Sequence, residues 1–163
     1  MNPAELLARG GVWYNMAGSD PESALAGAVA ALASSGRLAE GFDPDGLLHS
    51  LVGREATTST ALGGGIAFPH PREPLAPSPD AALIALFYPR FPVPWNAADS
   101  APVRAFFLVL SHNPHGHLTA LSRLAKACAL DGFRALLADE AGERELVAYL
   151  SAEPASSLWS PTR

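Results

Sequence analysis

Thiols and amines are scarce in this sequence. Cysteine occurs once in 163 residues, at Cys128, and Lys126 is the only lysine beside ten arginines. A single cysteine excludes a disulfide scaffold, and its apolar neighbours predict a buried thiol in a reducing compartment. We do not expect a catalytic thiol, because no pattern of His, Arg or Lys around Cys128 indicates one.

Long apolar runs and a basic surplus are also missing. The longest clean apolar run, Ala81–Tyr88, is far too short to span a bilayer, so no direct membrane insertion is predicted. The N-terminus lacks the basic and then apolar regions of a signal peptide, which favours a cytoplasmic location. A formal net charge of -5 argues against nucleic acid as a partner, because phosphate backbones bind basic surfaces.

Helix start signals are distributed along the whole chain. Apolar residues then recur at helical spacing, as with Leu25, Val29 and Leu32. Three starts pair a capping residue with proline, and one is interpreted as a capping box with proline at the first helical position. The predicted helices begin at Asn2-Pro3, Ser19-Asp20-Pro21-Glu22 (the capping box), Asp43-Pro44, Asn113-Pro114, Asp131 and Glu143.

An unbroken apolar run, 81–88, and a mainly apolar segment, 103–110, predict two buried strands. Turn and strand are expected over 57–69, with short extended pieces at Val12–Tyr14 and near Val93–Trp95. Helices alternating with buried strands favour an α/β fold: one domain over 1–163, a sandwich with a mixed, mostly buried sheet flanked by helices on both faces. We expect a core over about 20–150 and a flexible tail after 153.

The segment 54–70 carries the strongest functional signal. Arg54 is followed by hydroxyls at 58–60, three glycines at 63–65, a short apolar strand, and His70 between two prolines. An imidazole has an ordinary pKa of about 6.5, so it can be a nucleophile and a proton acceptor near neutral pH. The prolines make its support stiff, because their φ angles are fixed.

Several common sites do not fit this segment. The glycine run is not followed by Gly-Lys-Ser/Thr and lacks the G-x-G-x-x-G order, so nucleotide binding is unsupported. The Gly-x-Ser-x-Gly motif of serine hydrolases is absent. The set suits phosphate handling, in which an imidazole attacks phosphorus, hydroxyls bind the phosphoryl oxygens and Arg54 offsets their charge.

A second histidine group, His112, His115 and His117, lies between the second buried strand and a helix. His117 falls in or just before the first helical turn, where free N–H groups attract anions. For His112 and His115 we favour incidental loop positions, and His49 receives no role. A zinc site completed by His70 or an acid is the alternative, but H-x-x-H-x-H matches no standard ligand spacing, so no metal is assigned.

Two blocks of the sequence carry a family resemblance. They are Arg54-Glu-x-x-x-Ser59-Thr60-x-x-Gly63-x-Gly65-Ile66-Ala67-Phe68-Pro69-His70 and Pro102-Val103-Arg104 through the strand to His117-Leu118-x-x-Leu121-x-x-Leu124-Ala125. Both resemble the type-2 enzyme IIA domains of the bacterial phosphoenolpyruvate-dependent phosphotransferase system, in the fructose, mannitol and nitrogen-regulatory classes. The resemblance extends over roughly residues 20 to 150 and implies an α/β sandwich.

The resemblance also implies a mechanism. His70 corresponds to the histidine that accepts a phosphoryl group from a histidine-phosphorylated carrier protein, His117 to an assisting histidine and Arg54 to a supporting arginine. Ser59, Thr60 and Arg72 are expected to support the phosphate site, and no cofactor is required. The donor is expected to dock on an apolar rim that includes Phe68 and Leu118, and the next partner is a IIB domain or a regulatory target protein.

Two features separate this chain from the usual pattern. Pro71 stands where the family usually has glycine, so one backbone N–H is lost beside the phosphate site, although Arg72 fits the common Pro-His-x-Arg order. The stretch 4–14 resembles a subgroup in which the domain follows a DNA-binding segment, and no such segment occurs in these residues. We expect a stand-alone regulatory protein resembling the nitrogen-regulatory class. The alternative is a non-catalytic, protein-binding module with a degenerate site.

Overall fold

A computed structural model describes residues 2–152, in which helices cover both faces of one five-stranded sheet. The predicted flexible tail after 153 lies outside the described residues. The elements are α1 (Pro3–Gly10), β1 (Val12–Met16), α2 (Pro21–Ser35), α3 (Pro44–Thr57), β2 (Ala61–Gly63), β3 (Ile66–Ala67), a 3-10 turn (Pro79–Ala81), β4 (Leu83–Pro89), β5 (Ala105–Leu110), α4 (Pro114–Cys128), α5 (Asp131–Ala138) and α6 (Glu143–Ser151).

The sheet is mixed, as predicted, with the strand order β1-β4-β5-β3-β2. The pairs β1·β4 and β3·β5 are parallel, whereas β4·β5 and β2·β3 are antiparallel. Every residue of β4 and β5 is buried, which confirms that the two apolar runs form strands covered on both faces.

Alternate residues of the central strands enter two separate cores. Ile84 and Leu86 pack with side chains of α1, α4, α5 and α6, and Ala85 and Phe87 pack with those of α2 and α3. This separation follows from the two-residue period of a strand, which directs successive side chains to opposite faces. The predicted sandwich is therefore confirmed. Cys128 is buried, as expected, and burial raises the pKa of its thiol to about 12, so it stays protonated.

Two local predictions are corrected. The capping box of α2 is formed by Asp20 and Ser23 instead of Ser19 and Glu22: Ser23 N–H donates to the Asp20 carboxylate at 2.7 Å, and Asp20 N–H donates to the Ser23 hydroxyl at 3.3 Å. Since Pro21 is the first helical residue, the cap must be the residue before it. Near Val93 the expected edge strand is reduced to a single bridge with Val103.

The topology brings two chain segments to one edge of the sheet. β3 and β5 are parallel neighbours, so the segments that follow them leave the sheet at the same edge. His70 follows β3 and His117 follows β5, in the first turn of α4. Loops at the carboxyl ends of neighbouring strands are the usual position of ligand sites in open α/β sheets. Within residues 2–152, no helix is both long enough and apolar enough to cross a membrane.

Candidate functional site

The site is centred on a pair of histidines. The rings of His70 and His117 have centroids 4.8 Å apart and are tilted by 58°. Both side chains are half-buried, so each ring is packed against protein and still reaches the surface. The structure thus brings together two of the histidines that the sequence predicted as partners, although 46 other residues separate them in the chain.

One ring nitrogen of His70 is fixed by the backbone. His70 Nδ1 lies 2.7 Å from the carbonyl oxygen of Phe68. A carbonyl only accepts, so Nδ1 carries the proton and Nε2 holds the free lone pair. The supporting strand end is pinned as well, since Phe68 N–H donates to Thr60 O and Val109 N–H donates to Pro69 O. Of the two ring nitrogens, Nε2 is therefore the one whose lone pair is not engaged by the backbone.

The environment favours the neutral form of both imidazoles. Burial lowers the pKa of His70, the bond to Phe68 O raises it, and the nearby Arg54 charge lowers it again, for a net lowering. Burial also lowers the pKa of His117, and the charges of His70 and Arg54 act in the same direction. Desolvation and neighbouring positive charge both disfavour an imidazolium. A neutral ring with an available lone pair is the form required of a nucleophile.

The lowered pKa values predict a pH dependence of stability. Protons bind the unfolded chain more tightly than the native pair, so the free energy of unfolding should fall as pH decreases through about 6.5, the ordinary histidine pKa. Because the rings are adjacent, they should titrate as a coupled pair. Urea unfolding between pH 5 and 8 measures this effect. In the double variant His70→Gln with His117→Gln, the free energy of unfolding should depend less on pH than in the wild type. The same pH dependence in the variant and the wild type would contradict the lowered pKa values of the two histidines.

The side chains of two arginines lie at the C-terminal end of α3, one from the helix itself and one from the loop after β3. Arg54 is in its last turn and donates through Nη1 to Thr58 O at 2.9 Å. Arg72 donates through Nη2 to the Thr57 hydroxyl at 3.0 Å. The Arg54 charge lowers the pKa of both histidines, so this guanidinium acts electrostatically on the pair. The arrangement provides positive charge for an anion bound at Nε2 of His70.

The predicted supporting hydroxyls are used inside the protein. Ser59 Oγ donates to the carbonyl oxygen of Trp95 at 2.6 Å. Thr60 Oγ1 donates to a carboxylate oxygen of Glu55 at 2.6 Å. In this arrangement neither hydroxyl hydrogen is available to a phosphoryl oxygen. Both residues instead hold the turn that leads into β2, and any direct phosphate contact remains a prediction.

Glu55 is a residue that the sequence argument left without a role. Its carboxylate accepts hydrogen bonds from Thr60 N–H at 2.8 Å, from the Thr60 hydroxyl, and from the buried Trp95 indole N–H at 2.8 Å. These bonds join the end of α3 to the start of β2 and to the loop after β4. Thr60 O in turn accepts from Phe68 N–H, just before His70. The only sign of this role in the sequence was the position of Glu55, between Arg54 and the hydroxyl residues at 58–60.

Removing the Glu55 carboxylate should destabilise the domain. Glu55→Ala leaves the buried Trp95 N–H and the Thr60 N–H without an acceptor, and each such donor costs about 1–3 kcal/mol. We expect a loss of about 2–4 kcal/mol in the free energy of unfolding, measured by urea denaturation. Glu22→Ala is the matched control, because Glu22 and Glu55 both line a surface cleft between α2 and α3, and the Glu22 side chain is exposed. Equal losses in the two variants would show that the three hydrogen bonds contribute nothing.

The other members of the histidine group have different surroundings. His112 Nδ1 lies 3.0 Å from Ala76 O, and Ala76 N–H donates to Ser111 O, so His112 ties the loop after His70 to the end of β5. His115 is exposed on α4. Across residues 2–152, no three His, Cys, Asp or Glu side chains come together as a metal site.

One part of the predicted docking rim is wrong. Phe68 is only 4% exposed, because its ring points into the core and packs edge-on against Phe107 at 5.7 Å. Leu118, beside His117, is 68% exposed and stays a candidate. Leu75, on the loop after His70, is also exposed. Pro71 is buried, and as a proline it offers no backbone N–H beside the imidazole.

Comparisons with known proteins show relatives of this chain in sequence and in fold. A sequence model of the family described as "Phosphoenolpyruvate-dependent sugar phosphotransferase system, EIIA 2" matches residues 5–153. A nitrogen regulatory protein of Pseudomonas aeruginosa is 41% identical over 69 residues, which are 42% of this chain and 43% of that protein. The chain thus spans less than half the length of the curated relatives it matches.

Solved structures with the same fold include two of direct interest. Nitrogen regulatory protein IIA-Ntr from Neisseria meningitidis has a TM-score of 0.73 and 27% identity, with 91% of this chain and 98% of that chain covered. The mannitol enzyme IIA of Escherichia coli, in its complex with phosphorylated enzyme IIB, has a TM-score of 0.64 and 20% identity, with coverages of 87% and 96%. At that identity the second likeness shows the fold alone.

Proposed function

We propose, because this chain belongs to the EIIA 2 family of the phosphoenolpyruvate-dependent sugar phosphotransferase system, that His70 accepts a phosphoryl group from a histidine-phosphorylated carrier protein and passes it on. The observation that carries the proposal is the His70 ring itself. Its Nδ1 is bound to Phe68 O, and a second neutral imidazole lies 4.8 Å away. One nitrogen is therefore committed as a donor, and the other is available as a nucleophile.

The reaction proposed is an in-line displacement at phosphorus. The lone pair of His70 Nε2 forms the new N–P bond while the N–P bond of the donor phosphohistidine breaks and its electron pair returns to the donor imidazole. Positive charge that develops on the His70 ring is stabilised by the Nδ1–H bond to Phe68 O. Arg54 and His117 act on the phosphoryl oxygens, whose charge has to be offset during transfer.

The acceptor that follows is proposed to be a IIB domain or a regulatory target protein. The mannitol enzyme IIA, which shares this fold, has been solved with phosphorylated IIB, and this supports a IIB-type partner. The relation to two nitrogen regulatory proteins supports the regulatory alternative. In both cases exposed Leu118 lies next to the pair and is available to a partner surface.

A second candidate function is a regulatory binding module without phosphoryl transfer. The observation that favours it is Pro71, which removes a backbone donor next to His70. The hydroxyls of Ser59 and Thr60 donate to Trp95 O and to Glu55, so two more donors are unavailable to a phosphoryl group on His70. In this alternative the protein acts through its surface alone, and His70 stays unmodified.

One incubation separates the two functions. The protein is mixed with phosphoenolpyruvate and the two general phosphotransferase proteins, and intact mass is recorded before and after acid and alkali treatment. We expect a gain of one phosphoryl group that is lost in acid and kept in alkali, and that requires the carrier protein. If no mass is gained while the same donor proteins phosphorylate another enzyme IIA, the phosphocarrier proposal fails and the binding module stands.

A further inference from the structure

Ser111 is a buried polar residue beside the histidine pair that no motif singled out. It directly follows β5, and only 1% of its surface is exposed. Its Oγ lies 3.3 Å from Nδ1 of His117. The backbone of Ser111 is fixed as well, since its carbonyl oxygen accepts from Ala76 N–H. A hydroxyl buried this completely requires a hydrogen-bond partner, and the imidazole of His117 provides it.

The chemistry of this contact depends on which group donates. A neutral imidazole carries one proton, and the partner of one nitrogen decides which nitrogen holds it. A carbonyl accepts only, whereas a serine hydroxyl can donate or accept. His70, bound to a carbonyl, therefore has a single favoured form with the proton on Nδ1. His117, bound to a hydroxyl, can have either form, so an additional requirement must select one.

The proposed reaction supplies that requirement. The oxygens of an ionised phosphoryl group on His70 only accept hydrogen bonds, so His117 assists them only if its Nε2 carries the proton. Its Nδ1 must then hold the lone pair, and Ser111 must donate to it. If Nδ1 carried the proton instead, the Nε2 lone pair would face the phosphoryl oxygens, and the contact would be repulsive.

We propose that Ser111 is a positioning residue: its hydroxyl donates to His117 Nδ1 and holds the His117 proton on Nε2, where it can bind the phosphoryl group on His70. The catalytic part of this inference rests on the proposed function. The two adjacent rings then carry opposite tautomers, with Nδ1–H on His70 and Nε2–H on His117. Phe68 O only accepts and therefore sets the form of His70, whereas Ser111 Oγ holds the form of His117 by acting as the donor in this proposal.

Ser111→Ala tests this role. The variant removes the donor and leaves His117 Nδ1 buried without a partner, so the proton should redistribute between the two ring nitrogens. Transfer of the phosphoryl group to His70 should slow by about tenfold, the usual effect of one net hydrogen bond. Ser111→Thr restores the hydroxyl and should recover the rate. Ser122 is an exposed serine on α4, and Ser122→Ala is the matched control. It should change neither the rate of phosphoryl transfer nor the position of the proton on His117.

The deciding measurement is the tautomeric state of each ring in the unphosphorylated protein. Long-range proton–nitrogen correlation spectra of protein labelled with ¹⁵N-histidine report it at neutral pH. We expect Nε2–H for His117 and Nδ1–H for His70 in the wild type, with only His117 altered in Ser111→Ala. Nδ1–H on His117 in the wild type, or an unchanged His117 in the variant, overturns the role of Ser111.

The tautomer measurement does not depend on whether the protein can be phosphorylated. A wild-type protein that takes up no phosphate overturns the proposed function, and the tautomers still decide whether Ser111 sets the state of His117. A wild-type protein that is phosphorylated, with a Ser111→Ala variant that matches it in rate and tautomer, leaves the phosphocarrier standing and removes Ser111 from it.

Discussion

Replacing His70 with glutamine should abolish acid-labile phosphorylation by the carrier protein. Glutamine is about the size of histidine and retains polar atoms, but its amide nitrogen has no lone pair available for attack on phosphorus. Among the described residues, His70 combines an Nδ1 bound to a backbone carbonyl with a neighbouring imidazole and the charge of Arg54. The substitution removes the nucleophile itself, so the expected loss is complete. The measurement is intact mass after incubation with phosphoenolpyruvate and the two general proteins.

The control for this variant is His115→Gln. His115 is exposed in the first turn of α4, close in sequence to His117 but separate from the pair, so its replacement should leave phosphorylation intact. Thermal unfolding of both variants verifies that the fold is retained. Acid-labile phosphate that persists in His70→Gln, or disappears in His115→Gln, would move the nucleophile to another residue.

Replacing His117 with alanine should slow phosphoryl transfer by about 10²–10³-fold without preventing it. The variant keeps His70 as the nucleophile but removes one donor directed at the charge that develops on the phosphoryl group, and the loss of such a donor typically costs this much. The rate of mass gain under single-turnover conditions measures the effect.

His117→Gln makes the test more specific. Its amide group can donate to a phosphoryl oxygen, so this variant should recover part of the rate that alanine loses. Both variants should still reach full phosphorylation after long incubation. Equal rates for alanine, glutamine and the wild type would show that His117 is only a packing neighbour of His70.

Much of the fold could be predicted because its signals are local. The run 81–88 is apolar without interruption and the segment 103–110 is apolar except for Arg104, and this pattern indicates strands covered on both faces. Asn113, followed by Pro114, caps α4 and accepts from Gly116 N–H at 2.7 Å, as its position indicated. The strand expected near Val93 did not form beyond one bridge, because pairing depends on a partner strand that a local pattern does not reveal.

The site was predicted in part, and the limit has a physical cause. Pro69-His70 after a strand and His117 at a helix start are visible in the chain, but their approach to 4.8 Å follows from the parallel pairing of β3 with β5. Which way a side chain turns was not predictable. The Thr60 hydroxyl turns back to Glu55, five residues earlier, through the geometry of the turn after α3. The Phe68 ring turns to the core, because its contact with Phe107 forms only after distant segments pack together.

Buried polar contacts were the least visible feature. Ser111 directly follows a strand and Glu55 lies near the end of a helix, positions where a polar residue is commonly exposed to solvent. In the folded chain, the Glu55 carboxylate binds the indole N–H of Trp95, which is remote in the sequence. The Ser111 hydroxyl binds the ring of His117, which the turn between β5 and α4 brings next to it. The residues that orient the site were therefore found only from the structure.

The chemical position of the phosphoryl group tests the central claim most directly. The claim is that Nε2 of His70 attacks phosphorus because Phe68 O keeps the proton on Nδ1. Phosphorylated protein labelled with ¹⁵N-histidine is examined by nitrogen and phosphorus NMR, which identifies the residue and the ring nitrogen bonded to phosphorus. We predict a single phosphohistidine, at residue 70 and substituted on Nε2. Phosphate on Nδ1 of His70, or on any other residue, would contradict the mechanism proposed for this site.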